Sequence, residues 1–495
     1  MSANQTTAAR VSPARRAVSR GLGRLLEENG PLVMVVAAFG LVMLLALRNA
    51  LTIDGWMALA SGREIAQHGL PTHDTLTVWT HGQRWIDQQW LAQFLLYRLW
   101  QAGGIKLVLL IHALLATGAL AGAAAAARRL GGSARTTTWV CLPVMAAYYP
   151  EAGVLRPQTF AYPLFVAVLA LLALDARKSS NRVFLVLPLL VLWANLHGSV
   201  ILGAALVTAA AALRTAEFVK AGDRGAAAWS VALAGGAWLS ILASPYALRL
   251  PSYYDTILAG GNLGHFVTEW APTTLSASTA PVYLLILAGV WLIGRTGSRT
   301  TGFEKLAFLG ASLLAFDAVR NTAWLGLTAL VVLPVLVDGL RRPVEEPRRL
   351  NRLLATVVVS GVAVGFLGVA AKPDDWFIGG FPPGAGSAAV TAARGGHVFA
   401  TSRYADWLLW TQPSLRGRVA FDARYELLSS AQVKRLADVQ AARGKWQRTL
   451  ADDRVVVLDR RDDTTLRNAL AATHDFRAVA RSGNVVVLAR IAKPW

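Results

Sequence analysis

The apolar residues of this chain come in blocks, and most blocks are long enough to cross a bilayer. In hydrocarbon every backbone N–H and C=O must find its partner within the segment, so such blocks are constrained to be helices. About eleven runs can be read, relaxing the ~20-residue requirement beside re-entrant turns. They lie near Pro31–Leu47, Gly104–Ala127, Thr137–Tyr149, Gln158–Leu174, Val183–Asn195, Gly198–Leu213, Ala227–Ala243, Pro281–Ile293, Leu306–Phe316, Thr322–Val337 and Leu353–Ala371. With 54% hydrophobic and only 16% charged residues over 495 positions, the chain is too apolar for a soluble protein of its length. The expected fold class is a polytopic α-helical membrane protein.

The net charge of +20 would suit nucleic acid, but its distribution argues for membrane topology instead. Arg10, Arg15, Arg16, Arg20 and Arg24 fill the first 30 residues. Alternate loops carry Arg128, Arg129 and Arg135; Arg177, Lys178 and Arg182; Arg214, Lys220 and Arg224; Arg295, Arg299 and Lys305; and Arg341, Arg342, Arg348, Arg349 and Arg352. All fall on one side if the N-terminus is cytoplasmic, as the positive-inside rule requires. This pattern also resolves Val183–Leu213. As one helix it would be roughly 46 Å long, and the arginine loop at 341–352 would lie outside. A turn at Asn195-Leu196-His197-Gly198 keeps every basic loop inside. The first run reads as a retained anchor rather than a cleaved leader. The lone cysteine, Cys141, excludes an intrachain disulfide and a thiolate metal site. The expected setting is therefore the inner (plasma) membrane, multi-pass, with a cytoplasmic N-terminus and an extracytoplasmic C-terminus.

On that topology the side chains capable of chemistry gather at the outer face. Asp54, Asp74, Arg156, His197, Glu269 and Arg320 each lie at or just beyond the end of an apolar run. A transporter more often places its binding groups near mid-membrane on broken helices in repeated halves.

Four regions follow: a basic tail (1–30), a transmembrane domain (31–371) with a long first outer loop (48–103), a Gly/Pro linker (372–386) and an extracytoplasmic domain (387–495). Within the loop, Gly55–His68 and Gln88–Trp100 read as amphipathic helices lying in the interface. Thr75–Thr80 and Gln83–Ile86 read as paired short strands. In the last region His397–Thr401, Arg418–Phe421, Val455–Leu458 and Val485–Ala489 read as strands. Tyr425–Ala442, Gly444–Ala451 and Thr464–Ala472 read as helices, giving a small α/β domain without an active-site motif of its own.

The first loop carries Asp54-Gly55-Trp56, Gly62-Arg63, Gly69-Leu70-Pro71-Thr72-His73-Asp74, Trp85 and Trp90-Leu91. Further along stand Leu155-Arg156-Pro157-Gln158, Trp193-Ala194-Asn195-Leu196-His197-Gly198, Ser244-Pro245-Tyr246, Glu269-Trp270, Arg320-Asn321 and Phe421-Asp422-Ala423-Arg424. This pattern resembles bacterial GT-C-fold glycosyltransferases. The resemblance implies a GT-C-like membrane domain, a polyprenyl-phosphate sugar donor and a glycan or lipid-linked cell-envelope acceptor on the outer side, among membrane lipids and without nucleic acid. It implies a catalytic acid after the first span, here Asp54, with Asp74 as the second candidate. There are departures. Met57 stands where the poorly characterised bacterial branch of the family that this chain most resembles often carries His, and Ile53 and Gly55 flank Asp54 where other GT-C enzymes often have a second acid. A divalent cation, Mg or Mn, is a candidate cofactor, with no ligands assignable from sequence.

Glycosyl transfer needs a base for the acceptor hydroxyl and cations for the departing lipid phosphate. Asp54 suits the first role; Arg156 and Arg320, with His197, suit the second. Trp56, Trp85, Trp90 and Trp270 are candidates to pack on sugar faces, and Gln89, Asn195, Tyr246, Glu269 and Asn321 to bind substrate polar groups. Each has an ordinary alternative. Asp74 also fits a turn cap, the arginines headgroup contact, the tryptophans interfacial anchoring, His197 satisfaction of recessed backbone, and Glu269 a structural ion pair. A lipid or sugar transporter and a non-catalytic envelope assembly protein are the rival functions.

Overall fold

The computed structural model describes residues 13–259, 268–340 and 348–491. Arg10, Arg341 and Arg342 of the basic clusters lie outside these residues. The chain enters through α1 (Pro13–Ala46), bent at Asn29, where Pro31 has no N–H to offer the preceding turn. There follow α2 (Ile53–His68), α3 (Trp90–Arg129), α4 (Ala134–Ala152), α5 (Ala161–Arg177), α6 (Val186–Leu196), α7 (Val200–Lys220), α8 (Arg224–Ile241) and α9 (Leu250–Ala259). Beyond these come α10 (Ala280–Thr296), α11 (Gly302–Asp317), α12 (Thr322–Asp338) and α13 (Arg348–Ala370). Among the described residues seven helical segments are long and apolar enough to cross a membrane: Glu27–Asn49, Trp90–Arg129, Pro157–Arg177, Val200–Lys220, Ala280–Arg299, Val319–Asp338 and Asn351–Ala370. The other four apolar runs are also helical, as α4, α6, α8 and α11, but fall outside that set, so the expectation of eleven spans is met only in part. The turn expected at Asn195–Gly198 is present between α6 and α7.

Near the centre lies α12, buried along almost its whole length from Thr322 to Leu336 and packed against α3, α4, α5, α10 and α11. The basic loops come together at one end of the bundle. There Arg128 Nε donates to Asn29 Oδ1 at 2.8 Å, Arg177 pairs with Glu304 at 2.6 Å, and Ser133 Oγ donates to Asp338 Oδ1 at 2.8 Å. The turns before α5, between α6 and α7, and before α12 converge at the other end.

The first outer loop differs from its sequence reading. Rather than resting in the interface, α2 is buried on nearly every side from Gly55 to Ile65, sandwiched between α3 and α16 (Ser402–Thr411) of the C-terminal region. Gly62 permits this: a Cβ there would lie 2.1 Å from the Gln93 carbonyl of α3. The second loop helix is continuous with the next span, joined by a break at Gly103 and Gly104; Gly104 has φ +64°, which glycine tolerates without a Cβ clash. The expected hairpin is also displaced. Residues 72–74 pair with 83–85, and Val78 and Trp79 donate instead to the Val419 and Ala420 carbonyls at 2.9 and 3.0 Å.

The C-terminal region forms a four-stranded sheet of order β1-β2-β4-β3 from β1 (His397–Ala400), β2 (Asp453–Asp459), β3 (Phe476–Ser482) and β4 (Val485–Arg490). The β1–β2 pair is parallel and the other two are antiparallel. Arg418–Phe421 makes only isolated bridges, to Val398 on one side and Thr77 on the other, so the first loop extends this edge of the sheet. Strand β3 escapes a hydrophobicity reading because it is largely exposed. The expected linker is structured: α14 (Asp374–Ile378) and α15 (Pro383–Ala393) bury Phe377, Phe381 and Ala385, as apolar surface between two packed bodies requires. The remaining helices are α17 (Ser430–Gln440), opened by a Ser429/Gln432 capping box, then α18 (Trp446–Thr449) and α19 (Thr464–Thr473).

Candidate functional site

Asp54 occupies the first turn of α2, where the helix dipole favours a carboxylate. Arg156 is placed by the Pro157–Phe160 turn that leads into α5. Its guanidinium is the hub of a cluster. Nε lies 2.9 Å from Asp54 Oδ2, one terminal nitrogen donates to Glu151 Oε2 at 3.0 Å, and the other pairs with Glu269. Three acids from three separate segments thus surround one cation. The Arg156 side chain is 13% exposed and Asp54 37%, so the carboxylate, not the guanidinium, meets solvent. Burial raises the Glu269 carboxyl, with Asp54 and Glu151 adding to the rise and Arg156 opposing it. The same three charges, outweighing burial, hold Arg156 protonated well beyond the ordinary arginine range.

Beside this cluster opens a cavity of about 680 Å³. Its walls include Asp54, Gln89, Arg156, His197, Glu269, Trp270, Arg320 and Asn321 from the sequence-derived set. Arg320 stacks on Trp270 at 4.2 Å and makes no ion pair among the described residues. His197 Nδ1 accepts from the Ser199 backbone N–H at 3.1 Å and sits 2.8 Å from Ser199 Oγ. Accepting at Nδ1 leaves the ring proton of a neutral imidazole on Nε2. Burial and the nearby Arg320 and Arg156 charges push its pKa down to about 3, so the ring stays neutral. Asn321 Nδ2 is occupied by the Leu314 carbonyl at 2.9 Å.

No family model matches the chain, and no curated protein matches it. Solved structures do. ArnT from Cupriavidus metallidurans bound to undecaprenyl phosphate aligns with a TM-score of 0.52 at 15% identity, over 94% of this chain and 98% of its own. The archaeal oligosaccharyltransferase AglB from Archaeoglobus fulgidus, in complex with an inhibitory peptide and a dolichol-phosphate, aligns with a TM-score of 0.56 at 10% identity, over 89% and 71%. The chain has the GT-C fold.

The other sequence-derived residues of this GT-C chain lie away from the cavity. Asp74 is fully buried: it accepts from Leu76 N–H at 2.9 Å, Thr77 at 2.8 Å, Thr80 at 2.7 Å and Arg424 at 2.7 Å. Burial would raise its carboxyl; the Arg424 charge and these hydrogen bonds prevail and hold it below the usual range. Trp56 packs edge-on against Phe381, at 5.3 Å between ring centroids, within the core. Trp85 is covered by the Arg424 guanidinium at 4.2 Å. Trp90 Nε1 donates to Asn195 Oδ1 at 3.0 Å, while Asn195 Nδ2 donates to the Val191 and Ala243 carbonyls at 2.8 Å each. Tyr246 Oη donates to the Pro71 carbonyl at 2.9 Å. These residues tie the outer segments together and carry nothing in the cavity. Arg156 is in the cavity wall, but each of its guanidinium nitrogens faces a carboxylate, which leaves Arg320 as the lining arginine without an ion pair among the described residues.

Sequence reasoning missed Met57, Tyr253, Tyr254, Asp317, Ser402, Tyr425 and Glu426 in the wall. Tyr425 and Glu426 follow directly on Phe421-Asp422-Ala423-Arg424, the only local signal that could have pointed to them. Among the described residues no three His, Cys, Asp or Glu side chains are arranged to hold a cation. The acids beside the cavity surround a guanidinium, so this donor set does not fit a divalent cation.

Proposed function

We propose that this protein is a GT-C membrane glycosyltransferase that moves a sugar from a polyprenyl-phosphate donor to an extracytoplasmic cell-envelope acceptor with inversion. The observation that carries this reading is the pair of groups lining one cavity: the exposed carboxylate of Asp54, and Arg320, stacked on Trp270 and without an ion pair among the described residues. The GT-C fold shared with proteins solved with undecaprenyl phosphate and with a dolichol-phosphate supports the same assignment.

In the reaction Asp54 takes the proton of the acceptor hydroxyl as that oxygen attacks the anomeric carbon. The new C–O bond forms while the bond to the phosphate oxygen breaks, and the electron pair leaves with the lipid phosphate. One displacement from the opposite face inverts the anomeric centre. Arg320 stabilises the departing charge, with the neutral His197 donating a hydrogen bond from Nε2. Arg156 holds Asp54 in place and is a positioning residue. Gathering of the basic loops at the opposite end supports a cytoplasmic face there and an outward-facing cavity. Purified full-length protein in nanodiscs, supplied with undecaprenyl-phosphate monosaccharides and envelope extract, should form glycosylated product. A transporter or assembly protein would form none, and that result would remove the enzyme assignment.

A further inference from the structure

The cavity is chemically lopsided. Arg320, Trp270 and His197 line it with groups suited to phosphate; the C-terminal region contributes Ser402, Tyr425 and Glu426 to the lining. Glu426 is in a short turn, Tyr425–Leu427, held close by the fully buried Arg424. That guanidinium is committed elsewhere: it donates to Asp74 of the first loop at 2.7 Å and grips Asp422 at 2.5 Å. Glu426 therefore pairs with no cation among the described residues, and it stands half-buried on the cavity wall. A carboxylate on a cavity wall with no cation beside it keeps its acceptor oxygens available to a ligand. Burial pushes its carboxyl up to about 7, Asp422 and Asp54 adding to the rise against the pull of Arg424.

The groups around it are hydroxyls and aromatic faces. Tyr425 Oη donates to Ser402 Oγ at 2.9 Å, Tyr254 Oη donates to the Gly198 carbonyl at 3.1 Å, and the Tyr253 ring stands against Tyr254. A phosphate would be repelled by this wall. A polyhydroxylated ring would not: its hydroxyls can donate to the carboxylate while its C–H faces pack on tyrosine.

We propose that Glu426 is the sugar-hydroxyl-binding carboxylate of the cavity, so that the C-terminal region takes part in recognising sugar. The proposal rests on the glycosyltransferase reading and extends it. The hydroxyl can belong to the donor sugar or to the acceptor sugar, and the two are separable.

The test uses full-length protein in nanodiscs and three probes. Bare undecaprenyl phosphate reports the phosphate wall. Undecaprenyl-phosphate hexose and pentose report the donor sugar. Methyl hexosides and pentosides, added to protein loaded with undecaprenyl phosphate and followed by saturation-transfer NMR, report the acceptor side. Glu426→Gln should leave the affinity for bare undecaprenyl phosphate unchanged. At pH 8, where the carboxyl is ionised, it should weaken binding of the sugar-bearing lipid, or of the methyl glycoside, by about 10- to 100-fold, the loss expected for a hydrogen bond to a charged group. Loss on the lipid arm assigns Glu426 to the donor sugar and loss on the glycoside arm to the acceptor. Glu426→Asp, which retains the charge, should fall between. The proposal fails if both sugar arms are unaffected, if wild type binds no sugar probe beyond the bare lipid, or if the bare lipid weakens equally. Arg320→Ala tests the underlying reading separately: undiminished binding of bare undecaprenyl phosphate there would undo the phosphate wall and leave the Glu426 arms interpretable.

Discussion

Two arginines, each surrounded by carboxylates, show how the same pairing serves opposite ends. Arg424 is 1% exposed, stacked on Trp85 and bound to Asp74 and Asp422, with both acids buried. Arg156 is 13% exposed and bound to Asp54, Glu151 and Glu269, with Asp54 open to the cavity. Around Arg424 both acids and the guanidinium are buried, its Nη1 without a hydrogen-bond partner, and the cluster clamps residues 350 positions apart away from any open space. Around Arg156 the acids exceed the cation, and the surplus faces a space large enough for a substrate. What distinguishes a site from a clamp here is where the unmatched charge points. Asp54 and Asp74 lie in the same outer loop and are the first and second candidates for the catalytic acid from sequence, and they end in the two different clusters.

Substitutions at the two hubs should separate sharply. Asp54→Asn should keep the fold and undecaprenyl phosphate binding while lowering the transfer rate by about 10²–10⁴-fold, the usual contribution of a positioned base. Asp74→Asn should retain most transfer and instead lower the melting temperature. If the two variants lose activity equally, the contrast between site and clamp is wrong.

Arg424→Met leaves Asp74 and Asp422 buried without their cation. The expected cost is about 3–5 kcal/mol of stability, as for breaking a buried ion pair by removing one partner. Limited proteolysis should then release the C-terminal region from the first loop. Resistance equal to wild type would mean that the remaining ties suffice without it, among them Arg63 to the Leu409 and Trp410 carbonyls, Gln432 to the Trp79 carbonyl, Arg416 to Glu64 and the Val78 and Trp79 backbone bonds.

Lysine at the two cavity arginines sharpens the comparison further. Arg320→Lys loses the planar stack on Trp270 and the forked donors, and should weaken undecaprenyl phosphate binding about tenfold. Arg156→Lys should leave that affinity intact and reduce the transfer rate, because it disturbs Asp54. The reverse result would return Arg156 to the role of phosphate ligand.

The smallest effect concerns Asp87, near the clamp, with Oδ2 buried and without a hydrogen-bond partner. Burial raises its carboxyl to about 7, Arg424 opposing the shift and Glu426 adding to it. Between the ordinary carboxylate value near ~4 and 7, the folded protein retains a proton that the unfolded chain has lost. Its contribution to stability therefore falls as pH rises through that window, and the penalty is complete above it. Asp87→Asn should raise the melting temperature at pH 8 and have little effect at pH 4. An equal shift at both values would rule out the ionisation argument.

The apolar helices, the α6–α7 turn and the basic ends were legible in the chain, because hydropathy and loop charge are local signals; the expected Tyr425–Ala442 helix was not, and is a turn at Tyr425–Leu427 followed by α17. The sequence by itself also brought Asp54, Arg156, His197, Glu269 and Arg320 to one end of the bundle, since each follows or precedes an apolar run. Only the tertiary structure decided which of them are free. Whether Asp54 or Asp74 faces substrate depends on Arg156 and Arg424, which lie 102 and 350 positions away from them. The burial of α2, the pairing of Thr77–Trp79 with Val419–Ala420, and the arrival of Tyr425 and Glu426 in the cavity are likewise long-range contacts. No local pattern encodes them, because a carboxylate carries the same sequence signature whether its partner is an arginine or a ligand.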